Sequence, residues 1–106
     1  MSSGAKEKIM IEQKKKKGSQ TAQVRFFYQA APGHTVSLSG VFNDWDPVKT
    51  PMVYSAAEGG YSCSLSLAPG NYEYKLVVDG EWLQDESNPD FVSNDFGTLN
   101  SLVKVI

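Results

Sequence analysis

The sequence predicts an all-β protein, a single-domain antiparallel β-sandwich. Short runs rich in Val, Tyr, Phe, Ser and Thr are separated by closely spaced turn signals. These are Pro32-Gly33, Asn43-Asp44, Gly59-Gly60, Pro69-Gly70, Asp79-Gly80, Asn88-Pro89 and Gly97. Apolar and polar residues alternate along several runs, the period of a half-buried strand. No window carries a helical repeat. At 106 residues, 41% hydrophobic and 21% charged, the chain suits one core.

In chain order, residues 1–21 read as a flexible basic tail, because "EQKKKKGSQ" buries too little apolar surface to offset its ordering entropy. Residues 22–106 read as the folded domain, with strands at "QVRFFYQ", "TVSLSG", "MVYS", "YSCSLSL", "YEYKLVV", "EWLQ" and "SLVKVI". In "YSCSLSL", Tyr61, Cys63, Leu65 and Leu67 share the apolar face. In "YEYKLVV", the apolar set is Tyr72, Tyr74, Leu76 and Val78, and the opposite set is Glu73, Lys75 and Val77. If Asp79-Gly80 is a two-residue hairpin turn, Val78 pairs with Glu81 and Val77 with Trp82. Directly opposed residues share a face. Trp82 is thus expected to point away from the core, near Lys75, and a slip of one residue would reverse this.

Charge and composition exclude several functions. Residues 1–20 carry +4 and the remainder −6, for a net −2. An acidic body lacks the clustered Lys and Arg needed to grip a phosphate backbone, so no nucleic-acid partner is expected. The Lys14–Lys17 run offers a contact for an acidic partner or nucleic acid but reads more simply as a solvated arm. No apolar run approaches the roughly 20 residues of a membrane span, and "IMI" is too short for a signal peptide. The expected location is cytoplasmic.

Catalysis is not expected. Cys63 is the only cysteine and falls on an apolar face, so it reads as a small core residue. His34 is the only histidine and lies in the turn "PGHT", where it reads as a solvated loop residue rather than a base. Asp79, Glu81, Asp85 and Glu86 lie on a turn and its exit, without an implied cleft for paired-carboxylate chemistry. "DESNPD" lacks the spacing of a calcium loop, so no metal or cofactor is expected.

A flat binding surface is the positive reading. Trp82 is one half. Trp45, in the polar loop "GVFNDWDPVKTPM", is the other, unless it folds back to cap the sandwich edge. Two Trp residues outside the alternating core pattern favour binding. The C–H face of a pyranose lies flat on an indole, and Lys75 and nearby amides suit the surrounding hydroxyls.

The segments "VSLSGVFNDWDPVKTPM", "YSCSLSLAPGNYEYKLVVDGEW" and "FGTLNSLVKV" together resemble the family 48 carbohydrate-binding modules. That family includes the glycogen-binding domain of the AMP-activated protein kinase β subunit and the N-terminal modules of isoamylases and branching enzymes. The resemblance runs from about Val24 to Val105. It implies an immunoglobulin-like β-sandwich of the early-set type that binds α-1,4-linked glucans without cleaving them. Carried onto this chain, Trp45 and Trp82 are the stacking platforms and Lys75 bonds sugar hydroxyls. Thr98 and Asn100 add polar contacts. Phe96 stands where the kinase subfamily has a Leu that projects into the curve of the glucan. Gly40, Pro69, Gly70, Asp79 and Gly80 are expected to serve turns, and Phe42 the core. Asn43 is expected to cap the loop presenting Trp45, and Asp85 and Pro89 to have no ligand role. These modules usually accompany a glycan-active enzyme or a kinase subunit, so the chain is either a stand-alone module or part of something longer. The alternative to glucan binding is a protein-docking module with a vestigial sugar site.

Overall fold

The computed structural model describes residues 9–15, 17–85 and 88–106. The strands are β1 (Ile9–Lys15), β2 (Ala22–Gln29), β3 (Val36–Gly40), β4 (Thr50–Pro51) and β5 (Val53–Ser55). They continue as β6 (Gly60–Leu67), β7 (Gly70–Val78), β8 (Glu81–Leu83), β9 (Phe91–Ser93) and β10 (Leu99–Val105). Two antiparallel sheets result. One has the order β1-β2-β6-β5, the other β4-β3-β7-β10-β9, with β8 also paired to β7. This is the expected sandwich, and each of the seven runs named from sequence overlaps one of its strands.

The inner faces follow the alternation. Ala22, Val24 and Phe26 of β2 and Tyr61 and Leu67 of β6 meet Val36 and Leu38 of β3, Tyr74 and Leu76 of β7, and Val103 and Val105 of β10. Phe26 packs edge-on against Tyr74 at 5.3 Å between centroids. Phe42 joins the same aromatic group, 6.3 Å from Phe26. The Tyr74 hydroxyl is buried but satisfied: it donates to Asp85 Oδ2 at 2.7 Å and accepts from Asn88 Nδ2 at 3.1 Å. Burial, and then the Asp85 carboxylate, raise the Tyr74 phenol's pKa, so it stays a protonated donor. Burial likewise pushes the Cys63 thiol up to about 12, which keeps it an inert packing group.

The segment Ile9–Lys15 differs from the expected tail over residues 1–21. It pairs with β2 from Ile9↔Tyr28 to Lys15↔Ala22. Ile11 packs on the core. Gln13 Nε2 donates to the Lys104 carbonyl at 2.7 Å, and Gln13 Oε1 accepts from the Ile106 N–H at 3.3 Å. The amide thus imitates a backbone unit and fastens this edge to β10 of the other sheet. The backbone and amide bonding of β1 supply what composition alone withheld. Residues 1–8 and Lys16 lie outside the described residues.

Gly40 was expected in a turn but ends β3 with an extended backbone. The need for glycine is room: a Cβ there would stand 2.6 Å from the Glu73 carbonyl and 2.9 Å from the Phe42 ring. Backbone cannot yield as a side chain does. Gly40→Ala is expected to destabilise the domain by about 1–3 kcal/mol through forced separation of β3 and β7. Urea denaturation of the two proteins measures this, and an unchanged midpoint would show that the strands have slack here.

Candidate functional site

The site begins with how β7 is paired. On one edge, β3 spans Tyr74–Val78. On the other edge the pairing is divided. β10 covers Gly70–Tyr74 and β8 covers Leu76–Val78. Lys75 sits at the division, with the β9–β10 hairpin on one side of it and Trp82 on the other. Its side chain and those of Glu73 and Val77 lie on the outer face of the sheet.

The β7–β8 hairpin has the expected register, Val78↔Glu81 and Val77↔Trp82. Asp79 (φ 52°) and Gly80 (φ 84°) both have positive φ, as a type I′ turn requires. Trp82 therefore stands on the outer face, 44% exposed. Val77 shares that face but is buried. The turn is also clamped from outside. Asp79 N–H donates to the Thr35 carbonyl at 2.8 Å, Thr35 N–H donates to Asp79 Oδ1 at 2.9 Å, and His34 Nδ1 lies 2.7 Å from Asp79 Oδ2. His34 is thus tied into the hairpin rather than simply solvated. The Thr35 N–H bond, then the His34 contact, holds the Asp79 carboxyl below the usual aspartate range.

Trp45 comes from the loop between β3 and β4. Asp44 (φ 58°) and Trp45 (φ 59°) are consecutive left-handed residues. For a Trp this conformation costs on the order of 1–3 kcal/mol and needs surrounding structure to hold it. Asn43 supplies much of that. Its Oδ1 accepts from Gly40 N–H at 3.0 Å, while its Nδ2 donates to the Leu38 carbonyl at 2.9 Å and to Thr50 Oγ1 at 2.8 Å. Trp45 N–H closes the turn onto the Gly40 carbonyl at 2.9 Å. Asn43 is the expected loop cap, and Trp45 is left half-buried at the groove.

The third part is the β9–β10 hairpin. Lys75 Nζ donates to Thr98 Oγ1 at 2.9 Å. Asn100, only 6% exposed, donates through Nδ2 to Glu73 Oε1 at 3.0 Å. Phe96 stands at the tip, 90% exposed.

These parts enclose one open groove of about 650 Å³. Trp45, Lys75, Trp82, Phe96, Thr98 and Asn100 all line it, so the fold brings together every residue singled out from sequence. Val41, Glu73, Ser93, Asn94 and Asp95 line it as well and were not singled out. Glu73 was detectable by its alternation with Lys75. Asn94 had a weaker signal, an Asn at the head of a Gly-containing turn. Among the described residues no group of three or more His, Cys, Asp or Glu side chains is placed to hold a metal ion. No helix among them is long and apolar enough to cross a membrane.

The sequence model of the family described as the glycogen recognition site of AMP-activated protein kinase matches residues 22–106. The chain belongs to this family. It is a non-catalytic glycogen-recognition domain. The 5'-AMP-activated protein kinase subunit beta-1 of Sus scrofa is 36% identical over 89 residues, 84% of this chain and 69% of that sequence. Subunit beta-2 of Homo sapiens is 35% identical over 89 residues, 84% of this chain and 31% of that protein. Subunit beta-1 of Homo sapiens is 36% identical over 84 residues, 79% of this chain and 29% of that protein. This chain therefore spans less than a third of either human subunit.

The Asp79 clamp has a measurable consequence for the domain. A carboxyl held low in the folded state contributes stability above its unfolded value and loses it as pH falls through the folded one. Asp79→Asn keeps a residue suited to positive φ and removes the titrating group. Its urea midpoint is expected to fall less steeply below about pH 4 than that of the parent. Identical acid slopes would rule out the clamp.

Proposed function

We propose that the groove on the outer face of β7 and β8 is where the domain holds α-1,4-linked glucan, as in glycogen, starch or malto-oligosaccharides. Trp45 and Trp82 stack against the C–H faces of glucose units, and Phe96 gives a third apolar contact. Lys75 and Thr98 bond hydroxyls directly. Asn100 acts partly through its neighbours, since its side chain is already tied to Glu73 and Asn94. The observation that carries this reading is the convergence of two indoles, one from the β3–β4 loop and one from β8, on one ammonium in one groove. The left-handed backbone at Trp45 supports it, because strain is retained where a side chain must be presented.

Each stack contributes on the order of 1 kcal/mol, so the affinity for a short oligosaccharide is modest and a polymer gains by multivalency. We place the binding unit at residues 22–106, behind a basic segment, in a cytoplasmic kinase assembly that contacts glycogen. The docking reading has no feature of the groove in its favour.

Titration with maltoheptaose or β-cyclodextrin is expected to change the Trp fluorescence at millimolar sugar or below. Trp45→Ala and Trp82→Ala are each expected to weaken binding by about fivefold or more. No spectral change, together with no retention on a glycogen affinity gel, would reject the proposal. Phe96→Ala is expected to weaken binding of β-cyclodextrin severalfold, read by calorimetry, and an unchanged Kd would remove Phe96 from the contact set.

A further inference from the structure

The β9–β10 hairpin is organised by one side chain. Asn94 Oδ1 accepts from Phe96 N–H at 2.9 Å and from Thr98 N–H at 3.1 Å. Asn94 Nδ2 donates to Thr98 Oγ1 at 2.8 Å and to Asn100 Oδ1 at 2.9 Å. An amide has two acceptor sites and two donor hydrogens, and here all four are used. Two backbone N–H groups face the oxygen, which excludes the flipped amide.

Thr98 Oγ1 has the converse arrangement. It accepts from Asn94 Nδ2 and, at 2.9 Å, from Lys75 Nζ. A hydroxyl has two acceptor sites and one hydrogen, so both acceptor sites are filled by groups that only donate. Among the described residues the Thr98 hydroxyl hydrogen has no recorded acceptor, and Thr98 is exposed on the groove.

We infer that Asn94 is a positioning residue of the groove, which fixes the Thr98 hydroxyl as a hydrogen-bond donor toward a sugar oxygen. The inference rests on the glucan reading and deepens it by assigning polarity: Thr98 donates to the ligand and does not accept from it. The same amide holds the N–H of Phe96 and so sets where the exposed ring stands at the groove.

Substitution separates the two tasks of the amide. Asn94→Asp keeps acceptors for the Phe96 and Thr98 N–H groups but has no donor. Its carboxylate draws the Thr98 proton inward, away from the ligand. Thr98→Val removes the hydroxyl at similar shape, and Thr98→Ser retains it. Calorimetric titration with β-cyclodextrin is expected to give a Kd about three- to tenfold weaker for Asn94→Asp and for Thr98→Val, the loss of one hydrogen bond. The double variant is expected to be no weaker than the worse single one by more than about twofold, since both remove the same donor. Thr98→Ser is expected to bind within about twofold of the parent. The parental Kd in Asn94→Asp, or effects that multiply in the double variant, would overturn the inference while leaving the glucan reading standing. An unmutated domain that does not bind β-cyclodextrin would overturn both.

Discussion

The division of partners along one edge of β7 is the constraint on which the site depends. A strand edge offers one row of backbone donors and acceptors, and two short strands share it. β10 takes Gly70–Tyr74 and β8 takes Leu76–Val78. Had β10 continued along the whole edge, the position of β8 would be filled and Trp82 would have no place beside Lys75. The division opens the outer face at Lys75, and the loops on either side of it become the walls of the groove. The tight turn at Asp79-Gly80 matters because it fixes which residue of β8 meets Val77.

Around that opening the polar groups are arranged by their donor and acceptor counts. Asn43 and Asn94 act in parallel on separate loops. Each uses a side-chain amide to bond backbone groups at the ends of its loop, and each thereby presents an aromatic residue, Trp45 or Phe96. An amide suits the task because it donates and accepts without charge, so it does not compete with Lys75 or Glu73 in the groove. Strain at Trp45 is tolerable only because the loop ends are tied at Leu38, Gly40 and Thr50.

The core side of the same sheet is held differently. Tyr74, Asp85 and Ser101 form a buried polar group in which the Asp85 N–H donates to Ser101 Oγ at 2.9 Å. This group anchors the chain leaving β8 against β10, so the exit of the Trp82 hairpin is fixed from within while Asp79 and Thr35 fix its turn from outside. A ligand face built on short strands gains its rigidity from these side-chain ties.

The sequence by itself determined the strands with clear alternation and the register of the Asp79-Gly80 hairpin. It also determined that Trp82 faces away from the core, because period and turn chemistry are local properties. It named six of the residues that line the groove, partly from alternation and partly from family resemblance. It did not determine β1, β4 and β9: β4 and β9 have only two and three residues, too few to show an alternating period, and β1 lies in a stretch whose composition reads as solvated. Gln13 meets Lys104 across 91 positions, a contact that no window of sequence contains. Nor did it determine that Gly40 is a matter of clearance under the Glu73 carbonyl, that His34 reaches Asp79, or that Asn94 saturates its amide on Phe96, Thr98 and Asn100. Those depend on how separate segments approach in space, and only the tertiary structure decided them.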